Sequence, residues 1–420
     1  MRRSLEVSLA FAAFGCAPHA LAHHGIVNFD LNKDIEITGV VTDLAFVNPH
    51  SWLYLSVTSA DGSVTPWRCE MRAATVLRRS GWSEEMFENG SQVRITGSPD
   101  RKEPNTCYLG TITFADGSSM DRYGQRQKAA PADPVERPAR LASGRPNFAG
   151  DWAAEQRVMT DRRGISGALV PLSVADSVAP GAVPEGGRAF PGARGTPESL
   201  AQDAVRTAWS RASPVELTEA GKRAAEGFDG SSADNPRLRC EPTNILFDWT
   251  FDTLVNRITQ SDDTIQMQYG FMGLTRTIHL DVSEHPAELA PSVAGHSIGR
   301  WEGDTLVVDT VGFAPGVLSA DAATLHSDRL HVVERFTLDN DAGALRRSYV
   351  AEDPLFFTGQ YTGSDNVFIA DLAYESYNCD ERGYVTSGGA PTVDAAAPPA
   401  DTAGEQEPSK EAKPWWMFWK

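Results

Sequence analysis

An all-β chain built as two barrels, one small and one larger, is the architecture this sequence predicts. Three observations carry it. Short apolar runs, several with period-two alternation, recur between Gly and Asp turn signals in two separate regions. The four cysteines beyond the first 22 residues divide two and two between those regions. A polar, Pro-containing stretch separates the regions. At 420 residues the chain is long enough for two or three domains and at least one sizeable core.

Residues 1–22 read as an export signal. Arg2 and Arg3 precede an apolar stretch from Val7 to Phe14, and small residues stand at Ala20 and Ala22. Cleavage after Ala22 makes His23 the mature N-terminus. Ala13-Phe14-Gly15-Cys16 is a poorer match to a lipoprotein cleavage box, so anchoring through Cys16 is the less favoured route. Residues 23–120 form the small domain. Strands are expected at Ile35–Val41, Ser51–Val57, Val64–Met71, Val93–Gly97 and Cys107–Phe114, with Asp61-Gly62 as a hairpin turn. Between the third and fourth strands Ala73, Val76, Leu77, Trp82, Met86 and Phe87 fit an interrupted helical face closed by Asn89-Gly90. That order matches a five-stranded OB-like barrel.

Residues 121–146 make a linker, with Pro131, Pro134 and Pro138 among polar residues. The large domain spans 147–385 and includes a Pro/Gly-rich loop or disordered insertion near 178–197 and a plausible helix pair at 198–227. About eight strands follow, from Leu254–Thr259 through Thr264–Tyr269, Leu274–Asp281, His296–Trp301, Thr305–Thr310, Leu330–Leu338 and Leu345–Glu352 to Asn366–Tyr374. Their spacing suggests an antiparallel barrel or sandwich. Residues 386–420 are Ala/Pro/Glu-rich and end in Trp415-Trp416-Met417-Phe418-Trp419, an aromatic tail suited to contact with a membrane, a partner or the protein itself.

A net charge of −18 argues against nucleic acid and anionic membrane as main partners. No segment after the signal has the roughly eighteen apolar residues that a membrane-spanning helix needs. A periplasmic or secreted location, whose oxidising milieu favours one disulfide per domain, pairs Cys69 with Cys107 and Cys240 with Cys379.

Three constellations could carry chemistry. The free amine and imidazole of His23, with His24 and the His50 of Asn48-Pro49-His50, make a nitrogen-rich set suited to copper. In the large domain, alternation turns Arg276 and Glu334 inward among apolar residues, as a structural ion pair or as the polar end of an enclosed ligand pocket. Arg300 and Trp301, on the strand from His296, join them as candidate ligand contacts. His296, His326, Glu334 and Asp353 are the candidate acid–base residues.

The span through Ala22-His23-His24, Asn48-Pro49-His50, Gly81-Trp82 and Gly97-Ser98-Pro99 resembles an uncharacterised family of small secreted bacterial domains, in which Ser commonly stands where this chain has Gly25. The larger part resembles a second secreted bacterial family of unknown function. Its matching strings are Asn147–Trp152, Gly299–Thr310, Glu334-Arg335-Phe336, Glu352-Asp353-Pro354 and Tyr377–Glu381. Gly150 and Trp152 also resemble the opening of lipocalin-type barrels. These resemblances imply export and the two-domain division, and no activity.

The favoured function is non-enzymatic binding of an apolar or amphipathic small molecule in the large barrel, with a copper site at the mature N-terminus. One alternative is a lyase, isomerase or hydrolase using the His, Glu and Asp residues above. The other is a scaffold docking through its aromatic tail.

Overall fold

The computed structural model describes residues 28–123, 137–159, 168–177, 188–189, 215–230, 234–319 and 323–379. The signal, Cys16, His23, His24, most of 178–197, most of the expected helix pair and the aromatic tail lie outside these residues.

Alternation builds the small barrel. β1 (Ile35–Ala45), β2 (Trp52–Thr58), β3 (Val64–Glu70), β4 (Gln92–Pro99) and β5 (Thr106–Phe114) turn Ile37, Val41, Leu53, Leu55, Val93, Ile95 and Ile112 inward. β1 pairs with β2 and β4, β2 with β3, and β4 with β5; a parallel β3–β5 pairing closes the ring. This is the OB-like five-strand order, with β6 (Ser119–Asp121) added beside β5. Cys69 and Cys107 stand opposite each other on the closing pair and form a disulfide, Cα atoms 4.4 Å apart. The expected helix is shorter than its apolar pattern. It covers Ala74–Arg79, and a separate 3-10 turn follows at Glu84–Met86. Gly81, at φ +87°, takes the left-handed conformation that ends the first piece.

The large domain opens with β7 (Gly150–Ala153). The short strands β8 (Arg157–Met159), β9 (Ala168–Pro171) and β10 (Arg188–Ala189) form a side sheet, and β11 (Glu216–Leu217) precedes a helix at Glu219–Ala225. Then come β12 (Val255–Gln260), β13 (Thr264–Gln268), β14 (Thr275–His279), β15 (His296–Glu302) and β16 (Thr305–Val311). A hairpin of β17 (Gly316–Ser319) and β18 (Thr324–His326) leads to β19 (His331–Asp339), β20 (Ala344–Glu352), β21 (Phe357–Thr358) and β22 (Tyr361–Ile369). The closed barrel has nine strands in the order β12-β13-β14-β15-β16-β19-β20-β22-β7.

Three details of the closed nine-strand barrel differ from the expected strand pattern. β7, not expected as a strand, closes the barrel between β12 and β22. The last barrel strand is Tyr361–Ile369, not Asn366–Tyr374. β14 and β15 pair in parallel, so one neighbour pair departs from the expected antiparallel run. Segment 280–295 joins these two strands and carries His285.

The barrel core holds Ile258, Ile265, Met267, Ile278, Val308, Val332 and Phe336, and the preceding segment supplies Ile245, Leu246 and Trp249 to the same cluster. Trp249 packs edge-on to Tyr269 and Phe336, and Arg347 donates to the carbonyls of Ile245 and Leu246. The chain therefore fills this part of its own barrel. A second disulfide, Cys240–Cys379, spans 139 residues.

The two barrels touch directly. Ala73 and Val76 pack on Leu254, Phe271 and Tyr377. Arg72 pairs with Asp252, and Arg79 pairs with Asp371 at 2.8 Å while donating to the carbonyls of Ala154 and Thr253. Asn48 donates to the carbonyl of Tyr377 and accepts from the backbone and hydroxyl of Thr75. The cavity beside Arg79 and Leu254 is about 20 Å³, room for roughly one water molecule.

Candidate functional site

Inside the large barrel, period-two alternation brings charged side chains together. Arg276 Nη1 lies 2.5 Å from Glu334 Oε2, and Arg347 Nη1 lies 3.1 Å from Glu334 Oε1. Arg347 also makes a two-pronged contact with Asp365, at 2.6 and 3.1 Å. All four residues are buried. Burial alone would lower the Arg276 and Arg347 pKa values, but the facing carboxylates outweigh it and hold both guanidinium groups firmly charged. Two cations thus face two carboxylates, and the remaining Arg347 donors reach backbone carbonyls. The network satisfies Arg347 fully and leaves Arg276 Nε, buried, without a hydrogen-bond partner among the described residues. Arg347 was not singled out in the sequence, although it shares strand parity with Leu345, Tyr349 and Ala351.

The other sequence candidates do not gather around this network. Arg300 is exposed on the outer face and bonds to Glu302, while Trp301 packs against Phe148. His326 is buried with its ring edge-on to Phe313, and its Nδ1 lies 3.1 Å from the Ser327 carbonyl. Burial lowers its pKa. Asp353 accepts from the Ser327 backbone and hydroxyl and from Leu355 N, which fixes a turn. In the small barrel His50 Nδ1 lies 3.0 Å from Glu70, and Arg122 bonds to the same carboxylate. Burial pushes the Glu70 carboxyl up, but His50 and Arg122 outweigh this and hold it below its usual value. His50 thus has a carboxylate partner at Nδ1, and the His23 and His24 expected beside it lie outside the described residues.

His296 is placed differently. On β15, Ser297 and Gly299 point inward, so His296 and Ile298 point outward. β16 and β19 likewise turn Asp309 and His331 outward, and His279 is the last outward residue of β14. Asp309 is paired in register with Ile298 and Val333, which places His296 and His331 diagonally beside it. His285 reaches this surface from segment 280–295. Four of the nine histidines and one carboxylate therefore share one outer patch.

Its contacts form a chain. His331 Nε2 and His285 Nε2 each lie 3.1 Å from Asp309 Oδ1, and His285 Nδ1 lies 2.8 Å from His296 Nδ1. The His279 ring stacks on His296 with centroids 5.1 Å apart. One neutral tautomer set satisfies every contact. His296 Nδ1–H donates to His285 Nδ1, and His285 and His331 donate Nε2–H to Asp309. The hydrogen bond from His331 lowers the Asp309 pKa, and the same bond raises that of His331. Burial, aided by His285 and His279, lowers that of His296. The side chains of His285, Asp309 and His331 retain 19%, 28% and 41% exposure, so the patch is open to solvent. Among the described residues no three His, Cys, Asp or Glu side chains converge as a metal cage. Alternation accounts for the outward sides of His279, His296, Asp309 and His331, not for His285, and nothing in the string shows that they meet.

Fold and site together define a disulfide-bonded two-barrel protein with an imidazole–carboxylate surface. Residues 12–108, about the extent of the small domain, match a family of unknown function (DUF6152). No curated protein and no solved structure matches the chain. Among the described residues no helix is long and apolar enough to cross a membrane.

Proposed function

We propose that this is an exported binding protein, not a catalyst, and that it binds its ligand on the outer imidazole–carboxylate patch of the large barrel. The observation that carries this reading is the hydrogen-bonded chain His331–Asp309–His285–His296 on an open face. It offers hydrogen-bonding nitrogen at a fixed spacing. The barrel interior supports a binding role less well, because Trp249, Leu246 and the Arg276–Glu334–Arg347–Asp365 network occupy it. Of its four candidates the acid–base alternative keeps only His296 on an open face, because His326, Glu334 and Asp353 are buried and partnered. Two disulfides agree with an oxidising compartment.

Native mass spectrometry of the protein isolated from its own host tests the reading. The expected result is a retained ligand that the double variant His285→Ala/His296→Ala lacks. A ligand retained equally by both proteins, or none retained by the wild type, overturns it.

A further inference from the structure

We propose that residues 281–291 form a strap over the outer patch that lifts when the medium is acidified, taking His285 away from Asp309 and His296 and so dismantling the patch. The step regulates the binding surface named above and, resting on that reading, sets its ligand free in acid.

The strap is pinned at both ends and lightly held between them. Leu280 at one end and Val293 and Ala294 at the other pack on the barrel core, and the backbone of Ser292 bonds to Gly312 and Ala314. Every residue of 281–291 is exposed apart from His285 and Leu289. Leu289 rests against Gly312, where an added Cβ would lie 2.8 Å from its Cδ1. His285 supplies the polar hold, through its bonds to Asp309 and His296. A segment with so few buried contacts opens at small cost.

The hold of His285 on His296 depends on how many protons the two rings carry. Their Nδ1 atoms point at each other 2.8 Å apart, so one must bear a hydrogen and the other must not. One proton added to the neutral pair still fits. His285 then donates from both nitrogens, and His296 accepts at Nδ1 with its own hydrogen on Nε2. A second added proton does not fit. Both Nδ1 atoms would bear hydrogen, the bond is lost, and two cations are left in contact, with the His279 ring stacked on one of them. Lifting the strap separates the two charges.

The groups that face this pair come from four elements. β16 presents Asp309, β14 presents His279, and β19 presents His331, with Glu352 of β20 beside it. Gly312, Phe313 and Ala314, under the strap, carry no titratable side chain, and Asp281, Glu284 and Glu288 of the strap itself are exposed. Asp309 and His331 stay on their strands whether the strap is down or up. The bond between them lowers the Asp309 pKa and raises that of His331, so in acid they remain a carboxylate–imidazolium pair without His285. Burial, aided by His285 and His279, lowers the His296 pKa while the strap is down. The lifted state therefore binds more protons, and falling pH favours it on passing the ordinary imidazole value of about 6.5.

A nitroxide attached through Ala287→Cys in the full-length protein, read by electron paramagnetic resonance at pH 8 and pH 5, tests the strap. The mobile component of its spectrum is expected to grow from minor to dominant at pH 5. His296→Phe keeps a ring to stack on His279 and removes the facing nitrogen, so its spectrum should not change between the two pH values. His331→Gln keeps the His285–His296 pair and should leave the acid shift in place. Near-UV circular dichroism at pH 5 checks that the barrel stays folded in each protein. A spectrum that is the same at both pH values without His296→Phe overturns the proposal, as does an acid shift that His296→Phe retains. A shift that comes with loss of the near-UV signal overturns it too, because the barrel itself has then opened. The label reads the strap without any ligand, so its failure leaves the binding reading to the retained-ligand comparison. If the His285→Ala/His296→Ala protein keeps whatever the wild type carries, the binding reading falls, and ligand release in acid falls with it.

Discussion

Single charged residues inside the large barrel come there by two routes, strand alternation for some and the segment that fills the barrel for Asp248. Asp248 is the instructive case. It stands in the segment that fills the barrel, is almost fully buried, and accepts from Thr243 N at 2.7 Å. Burial pushes its pKa up to about 7 against the opposing pull of Thr243 and the Arg237 guanidinium; Tyr269 faces it from the barrel wall. Between the ordinary aspartate value and about 7, the folded protein holds a proton that the unfolded chain has released. Its contribution to stability therefore falls as pH rises through that window, by an amount on the order of 4 kcal/mol. Urea midpoints at pH 5 and pH 8 should show the wild type losing more stability than Asp248→Asn over that interval. Equal losses would mean that Asp248 does not titrate there. The residue carries no periodic signal, since only the fold decides that its loop enters the barrel. Arg276 and Glu334 are the opposite case, because parity along their strands is enough to turn them inward.

At the scale of elements, most strands follow directly from alternation, and the exceptions have physical causes. β22 contains Gly363, Ser364, Asp365 and Asn366, so its apolar signal is weak; its inward Asp365 is tolerated because Arg347 meets it. β7 has four residues, too few for a period to register, and is held by strands on both sides. In the small barrel Gly97 marks a register shift between β4 and β5, and a Cβ added there would lie 2.2 Å from the Tyr108 carbonyl oxygen. Gly97→Ala is expected to cost about 1–3 kcal/mol, the usual range for forcing extra atoms into packed structure. Chemical denaturation measures it, and an unchanged midpoint would show that the backbones are not so close. The parallel β14–β15 pair matters most for function. Segment 280–295, which joins the two strands, carries His285 to the outer face, where it reaches Asp309 and His296.

At the scale of the molecule Arg79 is one of the links between the two barrels, joining the small domain to Asp371, Ala154 and Thr253 of the large one. Removing that side chain leaves its acceptors without their cation and should cost about 2–4 kcal/mol. Calorimetry of Arg79→Ala is expected to resolve two unfolding transitions where the wild type shows one, and a single unchanged transition would refute the coupling. The sequence by itself determined the two all-β barrels, the disulfide partners and the inward turn of Arg276 and Glu334. These depend on neighbours in the chain, on strand parity and on composition, all local quantities. Tertiary structure alone decided that the barrel would be filled by its own segment, and that His285, Asp309 and His331 would meet His296. Those contacts depend on which strands lie side by side and on where one connecting segment crosses, and a linear string of residues does not encode either locally.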